Sequence, residues 1–128
     1  MTTTLAKAVA AALFVLIFAF GFWLSRAGKP YNAVIFNVHK LFALGALVFM
    51  IVVVVRGAKA AAMSQLQIAA AAVMFLMIVA LFATGALLSL VADGKLQTLG
   101  QSARAAILLA HRIAPWVSVA AAAGTLFL

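Results

Sequence analysis

Polar residues in this chain fall in short clusters, and between them run four apolar stretches with little interruption. Lys7 precedes an apolar run that reaches Leu24, and Arg26, Lys29 and Pro30 close it. A second run extends to Val55 and stops at Arg56-Gly57-Ala58-Lys59. A third passes through Gln65 and Gln67 to Val91 and ends at Ala92-Asp93-Gly94-Lys95. After a short connection over 96–102, expected to lie along the membrane interface, the last run reaches Leu126. The pattern predicts helices over 5–26, 31–55, 62–91 and 103–126. Each has the ~20 residues needed to cross a hydrocarbon core about 30 Å thick. Pro30 suits the first position of the second helix, where its missing N–H costs nothing. A cation followed by an apolar run also opens a signal peptide, but no small-x-small site closes this one, so the first helix is read as retained. Four spans with tight connections predict an all-α, integral membrane, up-down-up-down four-helix bundle forming a single transmembrane domain over 1–128.

Composition agrees with that class. Apolar residues make up 70% of the 128 and charged residues 8%, with a mean hydropathy of +1.33, which leaves too little polar surface for a soluble fold. A net charge of +8 would suggest nucleic acid in a soluble chain. Here the cations flank apolar runs, where lipid headgroups are their partners, so nucleic acid is excluded. There is no cysteine, hence no disulfide, no thiolate-held cluster and no covalent haem attachment.

The first and third helices share the pattern F-A-x-G-x-x-L-S: Phe18-Ala19-Phe20-Gly21-Phe22-Trp23-Leu24-Ser25 and Phe82-Ala83-Thr84-Gly85-Ala86-Leu87-Leu88-Ser89, offset by 64 residues. The second and fourth share histidine, cation, branched apolar residue: His39-Lys40-Leu41 and His111-Arg112-Ile113, offset by 72. The eight extra residues are expected in the connection before the fourth helix. Two tandem helix-pair repeats result, parallel copies about an axis along the membrane normal.

His39 and His111 are the only histidines, and each sits inside a segment apolar enough to span. An ionisable residue at that depth is expensive and points to function. Each lies eight residues beyond its expected helix start, ~12 Å along the axis at a rise of 1.5 Å per residue. Gly21 and Gly85 lie five and six residues before the ends of their helices, ~8–9 Å from the same face. Two level imidazoles on one diagonal of a bundle and two level glycines on the other outline a space for a flat ligand. Zinc or copper would recruit three or four protein donors, and the single carboxylate, Asp93, sits in a connection. Two opposed neutral imidazoles suit haem iron, with His39 and His111 as axial ligands of one non-covalent haem b. Lys40 and Arg112, and Arg104 at the entrance, are candidates to pair with its propionates. Pro115 removes the N–H that would bond the His111 carbonyl, and Trp116, Phe36 and Phe42 are candidates to pack on the porphyrin edge.

These residues resemble the four-helix core of membrane b-type cytochromes, as in quinol-oxidising respiratory complexes. In that family the second and fourth helices supply histidines, and glycines on the first and third make room for the porphyrin. The family's second haem needs another histidine about 14 residues, or ~20 Å, further along each ligand helix. Val52, Val53, Gly124 and Thr125 stand there, so one haem is expected instead of two.

The resemblance implies an electron carrier or redox subunit rather than a stand-alone enzyme. It would exchange electrons with quinone or a partner redox protein, in a bacterial cytoplasmic membrane, as part of a larger assembly or a homo-oligomer. The alternative is a haem-free membrane anchor or assembly subunit. A proton-coupled drug exporter of this size would need an intramembrane carboxylate, and the spans contain none. Arg26, Lys29, Lys95 and Arg104 on one face outnumber Lys7, Arg56 and Lys59 on the other, which places the haem near the cytoplasmic face and both termini outside.

Overall fold

A computed structural model describes residues 3–128, and among them every regular element is helical: α1 (Thr3–Ala27), α2 (Ala33–Lys59), α3 (Gln65–Ala92) and α4 (Gln101–Phe127). At 25, 27, 28 and 27 residues these helices are ~38–42 Å long, and all four are long and apolar enough to cross a membrane. The chain divides into two compact units, residues 1–63 and 64–128. Each is a helical hairpin, α1 with α2 and α3 with α4. The two units coincide with the two tandem helix pairs.

Local chemistry sets the helix ends. Pro30 and Tyr31 lie before α2 rather than in its first turn, because Asn32 takes the cap: its Oδ1 accepts from the N–H groups of Val34 (3.0 Å) and Ile35 (3.2 Å). α3 starts at Gln65, not at 62, because Ser64 and Gln67 form a reciprocal capping box, with the Gln67 N–H bonded to Ser64 Oγ (3.2 Å) and the Ser64 N–H to Gln67 Oε1 (2.9 Å). Gly28 and Gly94, at φ +74° and +72°, supply the left-handed residue that turns the chain after α1 and α3.

The eight extra residues of the second repeat are not confined to the connection. The α1–α2 link spans residues 28–32 and the α3–α4 link 93–100, which absorbs three of them. One more lengthens α3 beyond Gly85, and four, about one turn, precede His111 in α4.

Within each hairpin the core is narrow and built on small residues. Ala6, Ala10, Leu24, Ala46 and Met50 are buried in the first unit, and Ala71, Met74, Ile78, Ala114, Ser118, Ala122 and Thr125 in the second. Small side chains let helix backbones approach closely where no water is squeezed out. The repeat is visible in this core at a level the motif does not reach. Ala10 stands eleven residues before Gly21 and Met50 eleven after His39; Met74 and Ala122 hold the same offsets from Gly85 and His111. At that register position the first hairpin puts alanine on its first helix and methionine on its second, and the second hairpin reverses them, all four being 3% exposed or less. At that register position each hairpin thus carries one large and one small buried residue.

The outward faces remain apolar: Leu76 and Val79 are each 64% exposed and Val15 66%, which a membrane tolerates and water does not. Met50→Ala is expected to lower the stability of the chain in detergent by about 2 kcal/mol or more through the void it leaves. The double variant Ala10→Met/Met50→Ala, which copies the second hairpin, should recover most of that loss, as measured by reversible unfolding.

Candidate functional site

Both candidate ligands occupy the same seat in their own hairpin. A Cβ added to Gly21 would lie 3.1 Å from His39 Cε1, and one added to Gly85 would lie 3.2 Å from His111 Cε1. Those contacts are tighter than most real Cβ contacts, so a side chain at either glycine would press on the imidazole beside it by a few tenths of an ångström. The flat group for which the glycines leave room is, within each hairpin, the histidine ring itself. The glycine gives a reference within each hairpin for the position of its histidine. From the observed starts of α2 and α4 the histidines are six and ten residues in, so they are not equally far from their helix starts. Gly21 and Gly85 stand six and seven residues before the ends of α1 and α3, and there the two seats match.

The ring nitrogens are anchored differently. His39 Nδ1 lies 3.1 Å from the carbonyl oxygen of Ile17, one turn before Gly21. A carbonyl only accepts, so Nδ1 carries the proton and a neutral ring holds its lone pair on Nε2. In the second hairpin the residue equivalent to Ile17 is Leu81, and Thr84 stands between its turn and the ring. Thr84 Oγ1 lies 2.7 Å from the Ala80 carbonyl, 3.3 Å from the Leu81 carbonyl and 2.8 Å from His111 Nδ1. Thr84 has room because its repeat counterpart, Phe20, instead stacks on Phe42 at 5.5 Å, whereas the position equivalent to Phe42 is Ala114. Neither Ile17 nor Thr84 was singled out by the sequence pattern. The signal available for Thr84 was its departure from the repeat at the residue before the glycine.

The cations divide into two kinds. Lys40 follows His39 and rests its Nζ over the Phe36 ring, 3.9 Å from the centroid. Phe36 is therefore the partner of this cation, and it also stacks on Tyr31 at 5.8 Å. Arg112, following His111, is exposed. Arg104 is engaged elsewhere: Nε donates to the Leu99 carbonyl (2.9 Å) and Nη2 to those of Leu96 and Gln97 (3.1 Å each). It lies in the extra first turn of α4 and clasps the longer connection, a role that the expectation of a propionate partner had not included. α4 continues through Pro115, and Trp116 is 68% exposed.

Among the described residues no three His, Cys, Asp or Glu side chains gather into a group able to hold a metal ion by themselves. The donors present are single imidazoles, one per hairpin, each with Nδ1 held at hydrogen-bond distance inside its own hairpin.

Gly21→Leu is expected to expel the His39 ring from its seat and break the bond to Ile17, at a cost of about 1–3 kcal/mol from overpacking. Histidine side-chain nitrogen NMR should show the His39 Nδ1–H signal lost and that of His111 retained, and Gly85→Leu should do the reverse. No family model, curated protein or solved structure matches the chain, so its site is read from its own residues.

Proposed function

We propose that this chain is a membrane electron-transfer protein in which His39 and His111 hold one non-covalent haem b as its two axial ligands. The observation that carries this reading is the matched pair of seats: each imidazole rests against a glycine of the preceding helix, with Nδ1 bonded inside its own hairpin. Anchoring Nδ1–H is how proteins fix the tautomer and orientation of a metal-ligating histidine. Such a haem supplies one-electron exchange between ferric and ferrous iron. The chain's own part would be to present one imidazole lone pair from each hairpin, to exclude water with apolar helices, and to offer cations for the carboxylates of the ligand. Lys40 and Arg112 are the better cations for that purpose, because Arg104 already serves three carbonyls. The partners would be quinone or a redox protein in a bacterial cytoplasmic membrane, with the chain acting as one subunit of a larger assembly or of a homo-oligomer. This is the division of labour in the membrane b-type cytochromes the chain resembles.

The purified protein is expected to show the sharp bands of a low-spin b-type haem on reduction, with the haem extracted by acid acetone. His39→Ala and His111→Ala should each give high-spin or haem-free protein, because six-coordinate iron needs both nitrogens. A colourless preparation from haem-sufficient cells would overturn the proposal in favour of a membrane anchor. One haem near one face of a core about 30 Å thick cannot span it. Vesicles should therefore show haem reduction by quinol without transfer to an impermeant acceptor trapped on the far side.

A further inference from the structure

We infer that Thr84 is a positioning residue for His111, holding its ring as the Nδ1–H tautomer through a relayed hydrogen bond, and that the two imidazoles are consequently unequal donors. The tautomer assignment rests on distances within the second hairpin alone. The consequence for iron rests on the haem reading above.

Thr84 Oγ1 has one hydrogen and three polar neighbours. Two of them, the Ala80 and Leu81 carbonyls, can only accept. The shortest contact, 2.7 Å to the Ala80 carbonyl, takes the hydroxyl hydrogen in the bond to the preceding turn that serine and threonine make inside helices. The Oγ1 lone pairs then face His111 Nδ1 at 2.8 Å, and only a proton on that nitrogen turns the contact into a hydrogen bond. His111 therefore carries its proton on Nδ1 and its lone pair on Nε2, the same tautomer as His39. The first hairpin reaches that state by direct donation to a backbone carbonyl, 3.1 Å away. The second reaches it through a hydroxyl that is itself donating, and such chains strengthen each bond in them.

For a metal ligand the acceptor behind Nδ1–H sets how electron-rich the donor nitrogen is. Removing the acceptor weakens donation to iron and disfavours the ferric state, so the midpoint potential rises. Nothing equivalent is available at His39, because its acceptor is backbone and no substitution deletes it. Thr84 is a side chain, so at His111 the acceptor can be changed by substitution and the site tuned through it.

The test uses the full-length chain in detergent, with histidine side-chain nitrogen NMR on protein from haem-starved cells and redox titration on haem-loaded protein. In the wild type, His39 and His111 should both show protonated Nδ1. Thr84→Val, nearly isosteric, should move His111 toward the Nε2–H form, leave His39 unchanged as an internal check of folding, and raise the midpoint potential; Thr84→Ser should restore both. If His111 carries its proton on Nε2 in the wild type, or if its tautomer ignores Thr84→Val, the inference is overturned whether or not haem is bound. A colourless protein in which Thr84→Val still switches the His111 tautomer overturns the haem proposal and supports the role of Thr84.

Discussion

An imidazole placed inside an apolar helix needs room for its ring and an acceptor for its N–H at the same time, because an unpaired polar group away from water costs about 1–3 kcal/mol. In this chain one residue on the preceding helix meets the first need and a residue shortly before it meets the second. Gly21 and Gly85 leave room for the rings, and Nδ1 meets the Ile17 carbonyl one turn before Gly21 or the Thr84 hydroxyl immediately before Gly85. The contact sets the antiparallel register of each hairpin, and the register in turn sets which small residues meet in the core. A larger side chain at either glycine would press first on the ring and so on the hydrogen bond that Nδ1 makes.

The second hairpin shows how an insertion is absorbed without disturbing that contact. Its additional residues lengthen the connection and add a turn to the start of α4, all on the solvent side of the Gly85–His111 seat. Arg104 belongs to the added turn and gathers the carbonyls of Leu96, Gln97 and Leu99, groups that a longer link would otherwise leave to water. The first hairpin, with a shorter link, has Asn32 at the equivalent place and uses it as a helix cap. One sequence position thus closes the hairpin in both halves by different chemistry.

Much of this was legible in the residues alone. The four spans follow from apolar run length, and the recurrence of glycine and histidine in both halves follows from the two offsets, 64 and 72. The capping box at Ser64-Gln65-Leu66-Gln67 was also readable and would have moved the start of α3 to Gln65. Other features were not legible, for physical reasons. Which object fills the space at a glycine depends on helix rotation, which the spacing of two residues on different helices leaves open. The acceptor for His39 is a backbone carbonyl, which every residue possesses, so no residue type marks Ile17. Arg104 pairs with carbonyls for the same reason, and a cation read from sequence alone suggests an anion first.

The reversed methionine and alanine at one register position have a bearing on how such a chain assembles. Two hairpins so alike in sequence could exchange helices during insertion, with α1 settling on α4 or α3 on α2. The first exchange would set Ala10 against Ala122 and leave a hole; the second would force Met50 against Met74. Only the partner that follows in the chain fills the space once. The two methionines act as a key that differs between the halves, so a repeat that has kept its histidine seat nearly unchanged has still diverged enough for each helix to recognise its own neighbour.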